Sequence, residues 1–473
     1  MPFQPIPINA PVYSNINDIS LTDRTPDRIN TYRNIAGNTV RRPGLKLFFD
    51  MDLNTIINGA YGWGGILIII SGNDVYKYTA SGLTLIGSDL FLSDKPVIFA
   101  EFGTALYASN GSRIVKITGN DAFLLPDQNA PQNVSFIAAF DQYLLALDDR
   151  TGLIFYSKVG EPDIWQGDFF SAEQSPDKTV AIFSEWNKLW IFGQNTVEQF
   201  YNDGVTPFSP LNGSTLSIGC LAPYSIKSIR DNFYWLNDKN EIVRSQGNSY
   251  QIISDPIGNF LTEPYKKTNI IGEFLSIDEK QFYIITNPDY KKTGLTLVYD
   301  VVLEEWQGKW GSHISANYEQ FRGQFFTEYL SEHLIFDRSG SRIYIFRKNN
   351  YEDFGNLLIS TWLTGWIDHG TYARKRSSCL RIKCLRGLTE QPRFDKQPPK
   401  DKAPRLMIRW RDNGSRTFSN INYLDLGDIG DYEFELKLFR LGSYRMRQYE
   451  FSITDPVPFI LIGIEELVTG VGE

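Results

Sequence analysis

The chain has 473 residues, of which 42% are hydrophobic, 22% charged and 14% aromatic, a balance typical of folded proteins and unlike that of disordered chains. Its formal net charge of −8 excludes a general nucleic-acid binder, and its three cysteines are too few for a disulfide framework and favour a reducing compartment. Residues 1–10 lack a basic stretch followed by an apolar run, so we expect no secretory signal. The most apolar window, 65–70, is too short to span a bilayer, and we expect a soluble protein.

Residues 1–60 are rich in Pro, Asn and Asp and show little apolar periodicity, which predicts an extended N-terminal arm. From residue 61 short apolar runs alternate with Gly, Asn and Asp turns. Seven strand–turn–strand units follow, and they begin at residues 66, 105, 143, 189, 233, 281 and 333. The steps between these starts are 39, 38, 46, 44, 48 and 52 residues, which matches the roughly 40–50 residues of a four-stranded propeller blade.

This spacing predicts an all-β chain with a β-propeller of six or seven blades over residues 61–355. A single blade cannot bury its apolar face alone, so blades stack around a ring. Two packed β-sandwiches with similar turn spacing are the structural alternative. No stretch longer than about ten residues keeps an unbroken helical apolar pattern, so we expect helices to be few and short.

After residue 355 the repeat breaks, and residues 356–473 are predicted to form an additional β-rich C-terminal region. A basic, Pro-rich loop is predicted within residues 374–411, which hold thirteen Lys or Arg against three acids, a local charge of +10. The candidate contact residues for phosphate or for an acidic partner protein are Arg374, Lys375, Arg376, Arg381, Lys383 and Arg386. The alternative is a solvated loop, because the segment lacks the aromatic residues that interleave with basic ones in single-strand binders.

Catalytic motifs are missing from the sequence. None of the three histidines has metal-ligand spacing, and Cys379 and Cys384 form a C-x₄-C pair without a second pair. The turn at Asp412, Asn413 and Gly414 is similar to the Asp-box of sialidases, but it has one residue too many before the Thr-Phe pair and occurs once. We therefore predict no catalytic residue, no metal, no cofactor and no enzyme. A propeller glycosidase acting on cell-surface glycan remains an alternative.

Short motifs carry a family resemblance over most of the chain. They include RPGL at 42–45, QFYNDG at 199–204, LSIGCLAPYSI at 216–226, FYWL at 233–236, IVR at 242–244, IISDP at 252–256, YD at 299–300 with EW at 305–306, RLGS at 440–443 and DPV at 455–457. With these motifs the chain resembles the packaged-DNA stabilisation, or tail hub (nozzle), proteins of short-tailed bacteriophages.

The resemblance implies a homohexameric ring of propeller-bearing subunits in the virion tail. Such a ring would bind the portal–adaptor ring above and a tail needle or plug below, with tailspike or receptor-binding proteins around it. It would retain packaged DNA and conduct it at ejection without sequence specificity, and an acidic chain fits this role because it repels phosphate. Assembly in a reducing bacterial cytoplasm agrees with unpaired cysteines. A monomeric glycan- or peptide-binding propeller is the third possibility.

Overall fold

The computed structural model describes residues 3–7, 27–172, 177–204, 208–277, 279–314, 317–385, 404–427 and 435–470. The chain divides into two compact units. Unit 1 comprises Met1–Lys46, Leu275–Phe321 and Phe346–Glu473, and unit 2 comprises Leu47–Phe274 and Arg322–Ile345. In the described chain, regular structure other than strand is limited to one α-helix at Gly258–Thr262 and 3-10 turns at Pro223–Ser225 and Asp255–Ile257. The predicted all-β class, with few and short helices, is confirmed.

Strands are numbered in chain order. Strands β1 to β5 are Gln4–Ile6, Asp27–Ile29, Thr31–Arg33, Thr39–Arg41 and Leu45–Asp50. Strands β6 to β25 are Ile57–Trp63, Ile66–Ser71, Asp74–Thr79, Gly82–Gly87, Ile98–Phe102, Ala105–Ser109, Val115–Ile117, Ala122–Leu124, Val134–Phe140, Tyr143–Asp148, Ile154–Lys158, Glu161–Phe170, Thr179–Glu185, Lys188–Gly193, Val197–Tyr201, Ser209–Pro210, Lys227–Ile229, Asn232–Leu236, Ile242–Gln246 and Ser249–Ile252. Strands β26 to β42 are Ile271–Ile277, Lys280–Asn287, Leu295–Asp300, Glu305–Ile314, Asn317–Gln320, Gly323–Tyr329, Glu332–Asp337, Arg342–Phe346, Glu352–Asp353, Asn356–Leu357, Ser360–Leu363, Lys375–Leu385, Arg405–Asp412, Asn422–Asp425, Glu435–Tyr444, Arg447–Ile453 and Ile460–Gly470.

Unit 2 is built from four-stranded antiparallel sheets whose strands follow the chain order. Five of them, in the described residues, are β6–β9, β10–β13, β14–β17, β18–β21 and β22–β25, and a further sheet has the order β31-β32-β33-β5. An up-and-down sheet of four strands is the blade of a propeller. Each predicted strand–turn–strand pair in this part of the chain forms the second and third strands of such a sheet. The number of blades stays a prediction.

The second strands of these sheets are apolar because both of their faces are covered. In β7, every residue from Leu67 to Ser71 is buried, and β15 and β19 show the same pattern. The turn after a second strand is fixed by its last polar side chain: Asp148 Oδ1 accepts hydrogen bonds from the amides of Arg150 and Thr151 at 2.9 Å each. Such Asx turns explain why Asp and Asn punctuate the repeat.

The first strands of neighbouring sheets approach closely, and glycine permits this approach. A Cβ added to Gly62 in β6 would lie 2.0 Å from the carbonyl oxygen of Glu328 in β31, and one added to Gly59 would lie 2.8 Å from the Cβ of Val97. The Gly62 amide also donates to Thr327 Oγ1 at 3.3 Å. The small residues of β6 are therefore required by packing between sheets.

Unit 1 contains two sheets with an apolar core between them. One has the order β3-β4-β42-β37-β40, with β1 paired to β42, and the other includes β27-β28-β29-β2-β36-β41-β38-β39. Leu380 and Ile464 of the first sheet and Ile408 and Phe451 of the second belong to one buried cluster. Described residues of the predicted arm thus form strands that pair with C-terminal strands. The domain limits 1–60, 61–355 and 356–473 stay a prediction.

A buried ion pair anchors the RPGL motif inside unit 1. The guanidinium of Arg42, which is fully buried, donates to both carboxylate oxygens of Asp353 at 3.0 and 2.5 Å. It also donates to Asn30 Oδ1 at 2.9 Å and to the Gly311 carbonyl at 3.0 Å. Gly44 follows, and a Cβ there would lie 2.2 Å from a backbone oxygen. The motif therefore stabilises unit 1, and we call the buried contacts of Arg42 with Asp353, Asn30 and Gly311 the Arg42 lock.

Candidate interaction surface

Strand β37 holds most of the basic residues that the sequence singles out. Arg381 and Lys383 alternate on its outer face, but acids of the neighbouring strands β40 and β42 pair with them. Lys383 Nζ lies 2.7 Å from Glu465 Oε1, and Arg381 lies 3.5 Å from Glu465 and 3.4 Å from Glu435. The Arg381 guanidinium also stacks 3.8 Å from the centroid of the Phe3 ring. Internal partners occupy these two cations.

Lys375, by contrast, is buried at the start of β37. Its ammonium donates to the carbonyl oxygens of Thr371 and Ala373, the latter at 2.8 Å. Burial lowers the pKa of this amine, and the nearby Asp368 carboxylate opposes that shift. Arg386 lies outside the described residues. The contact role predicted for all six residues stays a prediction.

Arg374 and Arg376 are exposed, and the pairing of β37 with β40 brings two further arginines close. Arg376 is opposite Ser443, so the first residues of β37 lie beside the last residues of β40. Arg440 is in this part of β40, and Arg445 directly follows the strand. In the described part of the chain, no carboxylate lies within ion-pair distance of any of the four. We call Arg374, Arg376, Arg440 and Arg445 the arginine cluster.

Two exposed aromatic side chains accompany the arginine cluster. Tyr372 is 61% exposed and Phe439 is 60% exposed. The guanidinium of Arg445 lies 5.5 Å from the centroid of the Tyr372 ring and donates to the Tyr372 carbonyl at 3.1 Å. Segments that flank 374–411 thus place aromatic rings beside these arginines. Sequence reasoning missed Arg440 and Arg445 because only the strand register reveals their proximity to β37.

The densest group of titratable side chains lies inside unit 1 and is satisfied internally. Glu466, fully buried, accepts hydrogen bonds from the hydroxyls of Tyr449 at 2.6 Å and Tyr444 at 2.7 Å, and His369 Nε2 lies 3.1 Å away. Burial alone would raise the pKa of Glu466, but the hydrogen bonds from His369, Tyr449 and Tyr444 outweigh it and hold the pKa below its ordinary value. Because its polar atoms are buried and hydrogen-bonded to one another, this group stabilises the fold of unit 1.

Arg447 extends the same group. Its buried guanidinium pairs with Asp412 through two contacts of 2.6 and 2.8 Å. The turn that is similar to an Asp-box therefore begins with a carboxylate committed to an internal ion pair, while Asn413 and Gly414 supply the positive φ angles of the turn, 53° and 77°. This geometry gives the motif a structural role.

Other chemistry-bearing residues are scattered. Burial lowers the pKa of His313 and raises the pKa of the Cys379 thiol, and all three cysteines are buried and free. Within the ranges that the structure describes, no group of three or more His, Cys, Asp or Glu is placed to hold a metal ion. No helix of the described chain is both long enough and apolar enough to cross a bilayer.

Several solved structures are similar to the chain at low sequence identity, with TM-scores below 0.5. The WD40 β-propeller domain of Doa1 is 9% identical with a TM-score of 0.40, covering 65% of this chain and 97% of that one. BamB from Moraxella catarrhalis is 10% identical with a TM-score of 0.36, covering 69% and 94%. The extracellular domain of the hybrid two-component system BT4673 from B. thetaiotaomicron is 11% identical with a TM-score of 0.44, covering 71% of this chain and 43% of its own. Such weak likenesses carry no information on function, and no curated protein matches the chain.

A family model gives the stronger match. The model described as Bacteriophage P22 Gp10, beta-propeller, matches residues 27–351. This range includes every four-stranded sheet of unit 2 and the RPGL motif with the Arg42 lock. Together with the strand order, the match confirms the propeller predicted from the repeat spacing. The chain belongs to this phage stabilisation family, whose members are structural propeller proteins of the bacteriophage particle.

Proposed function

We propose that the protein is a tail hub or nozzle, which closes the portal–adaptor channel, retains packaged DNA and conducts it during ejection. The family match over residues 27–351 carries the proposal. A structural role without turnover agrees with the contacts of Glu466, Arg447 and Asp412. These side chains form hydrogen bonds and ion pairs with one another or with neighbouring residues of the chain, and are therefore not available to bind a substrate. Turnover of any glycan in a broad panel would contradict this part of the proposal.

The working form is a cyclic homohexamer in the virion tail, assembled in the host cytoplasm. Its partners are the portal–adaptor ring, a tail needle or plug, and tailspike or receptor-binding proteins. DNA passes without sequence-specific contact, because a net charge of −8 per copy opposes adhesion of phosphate. Electrostatic repulsion of this kind allows a long polyanion to slide through the channel during ejection.

The oligomeric state tests the proposal most directly. Native mass measurement and negative-stain images should give a six-fold ring whose central channel is wider than duplex DNA. Particles assembled without the protein should package DNA and then lose it. A chain that stays monomeric at micromolar concentration, both alone and with the adaptor, contradicts the proposal.

A second experiment asks whether the arginine cluster meets protein or phosphate. The variant Arg374→Glu/Arg376→Glu reverses two exposed charges and leaves the buried Lys375 in place. We expect normal folding and lost ring assembly, because a protein interface tolerates reversed charges poorly. Normal assembly with leakage of DNA would instead assign the cluster to phosphate contact.

A further inference from the structure

The fourth strands of three consecutive sheets, taken together with the loops that flank them, contain acids and no basic residue. These strands, β9, β13 and β17, lie within residues 81–94, 117–133 and 159–172, which contain no Lys or Arg. The same ranges hold seven acids: Asp89, Asp94, Asp121, Asp127, Glu161, Asp163 and Asp168. We call these three ranges the acidic rim.

The three strands of the acidic rim are neighbours in space. A Cβ added to Gly87 at the end of β9 would lie 2.7 Å from the carbonyl oxygen of Ala122 in β13. Asp127, just after β13, accepts a hydrogen bond from the Trp165 amide of β17 at 2.8 Å. The rim is therefore one continuous surface on the outer strands of successive sheets.

Large apolar side chains project from this surface. Leu85 is 51% exposed, Phe123 41%, Ile164 42% and Phe169 55%. In the described residues, the other fourth strands, β21, β25 and β5, show no large hydrophobic side chain exposed to this degree. Exposed apolar residues concentrated on one acidic surface indicate a docking face.

Most charge on the rim is uncompensated. Lys158 pairs with Glu161 at 2.6 Å, and Lys116 pairs with Asp163. Four exposed acids remain for which the described residues supply no ion pair: Asp89, Asp94, Asp121 and Asp168. The arginine cluster has the opposite character: its four guanidinium groups lie near the exposed rings of Tyr372 and Phe439, and no carboxylate of the described residues pairs with them.

We propose that the acidic rim of one copy binds the arginine cluster of the next copy. The inference rests on the proposed function for the existence of an oligomer and adds which surfaces meet. Both surfaces combine exposed aromatic rings with charges of a single sign, and the signs are complementary. Rim against rim or cluster against cluster would repel, so the contact is heterologous, and a heterologous contact with the right rotation closes into a ring.

Reciprocal charge reversal tests the contact. The rim variant is Asp121→Arg/Asp168→Arg, and the cluster variant is Arg376→Glu/Arg440→Glu. Each variant alone presents two surfaces of like sign and should be monomeric by native mass. Mixed in equal amounts, the two variants restore complementary contacts all around the ring. The mixture should therefore regain the wild-type oligomer mass, with equal numbers of the two variants in alternation.

A matched control reverses two exposed lysines elsewhere, Lys266→Glu/Lys292→Glu, and should assemble like the wild type. If the wild type forms rings and either variant alone also forms them, the proposed contact is wrong while the hub function stands. The contact is equally overturned if both variants are folded monomers and the mixture fails to assemble. A wild type that never oligomerises, even with its adaptor, defeats the hub function itself.

Discussion

In unit 2 each four-stranded sheet buries aliphatic and aromatic side chains against the next sheet, whereas the sheets of unit 1 also bury ion pairs. Unit 2 has apolar clusters such as the one that joins Phe140, Trp190 and Phe233. In unit 1, Arg42–Asp353 and Lys280–Asp300 have side chains that are at most 4% exposed. Two ion pairs of unit 2, Lys95–Asp149 and Arg342–Asp50, are exposed by more than a third, while Arg322–Asp337 is more enclosed, with side chains 12% and 1% exposed.

The Arg42–Asp353 pair joins segments that lie far apart in the sequence. Strands of unit 2 mostly pair with their neighbours in the chain, so short turns fix the register. Arg42 and Asp353 are 311 positions apart, and many apolar strands of similar pattern compete for such a pairing. A buried charge penalises every wrong partner, because an unpaired ion in a low-dielectric interior costs several kcal/mol. We infer that the Arg42–Asp353 ion pair specifies the long-range pairing of its two segments in unit 1.

The largest expected effect comes from breaking the Arg42 lock. Asp353→Ala leaves a fully buried guanidinium without its carboxylate and should lower the free energy of unfolding by about 3–5 kcal/mol. The exposed pair of unit 2 provides the control: Asp50→Ala should cost about 0–1 kcal/mol. Urea denaturation of both variants measures the two losses. Equal losses would remove the distinction between the units.

Packing between sheets of unit 2 can be attacked at Gly62. The Cβ of Gly62→Ala would lie 2.0 Å from a backbone oxygen that cannot rotate away, so we expect a loss of about 3 kcal/mol, the upper end for overpacking. Gly340→Ala is the control, because nothing lies within 4 Å of its added Cβ. Thermal unfolding of both variants shows whether the close contact between the first strands of neighbouring sheets stabilises unit 2. A Gly62→Ala protein as stable as the control would mean that these strands separate freely.

The Glu466 group predicts a pH dependence for unit 1. The folded-state pKa of Glu466 lies below its ordinary value of 4.5, so its stabilisation is complete above that value and is lost as pH falls through the folded pKa. Glu466→Gln should cost about 1–2 kcal/mol near pH 7, and its stability should approach that of the wild type in acid. Glu465→Gln, on the outer face, should cost at most about 1 kcal/mol. Denaturation at a series of pH values from about 7 down to below 4.5 measures the free energy of unfolding of both proteins. If the difference between wild type and Glu466→Gln stays the same at every pH, the prediction is wrong.

The smallest effect on folding is expected at the acidic rim. Phe123→Ser/Phe169→Ser removes two exposed rings, so the free energy of unfolding should change by less than about 0.5 kcal/mol. Ring assembly should need about tenfold higher protein concentration, because interface aromatics contribute most of the binding energy. Leu330→Ser, 68% exposed in a turn outside the rim, is the control. Mass photometry across a dilution series measures both; unchanged assembly of the Phe variant would remove the rings from the interface.

The repeat could be predicted because its signal is local. The predicted pair at 143–156 becomes β15 and β16, and the pair at 333–346 becomes β32 and β33, within one or two residues. The alternation of apolar runs with Asx turns is sufficient to predict these hairpins, because both strands and the turn lie next to one another in the sequence. The pairing of β2 and β4 with strands hundreds of positions away leaves no comparable trace in a single sequence. Those residues instead resembled an arm.

Only part of the interaction surface could be predicted from the sequence, for a similar reason. Sequence located the basic segment, and Arg374 and Arg376 prove exposed, but burial of Lys375 and the pairing of Lys383 with Glu465 depend on the register of β37 with its neighbours. The acidic rim could have been found in the sequence as three ranges without Lys or Arg. Its meaning required the knowledge that these ranges are fourth strands of adjacent sheets.

The sheet β31-β32-β33-β5 has a consequence for synthesis on the ribosome. Strand β5 ends at Asp50, but its partner β33 begins at Arg342. At about 5–20 residues per second, the nascent chain waits roughly 15–60 s for that partner. During this interval β5 is an unpaired strand edge, while the sheets from β6 to β25 can complete one after another. Translation speed and chaperone protection of the first fifty residues should therefore limit the yield of correctly closed chains.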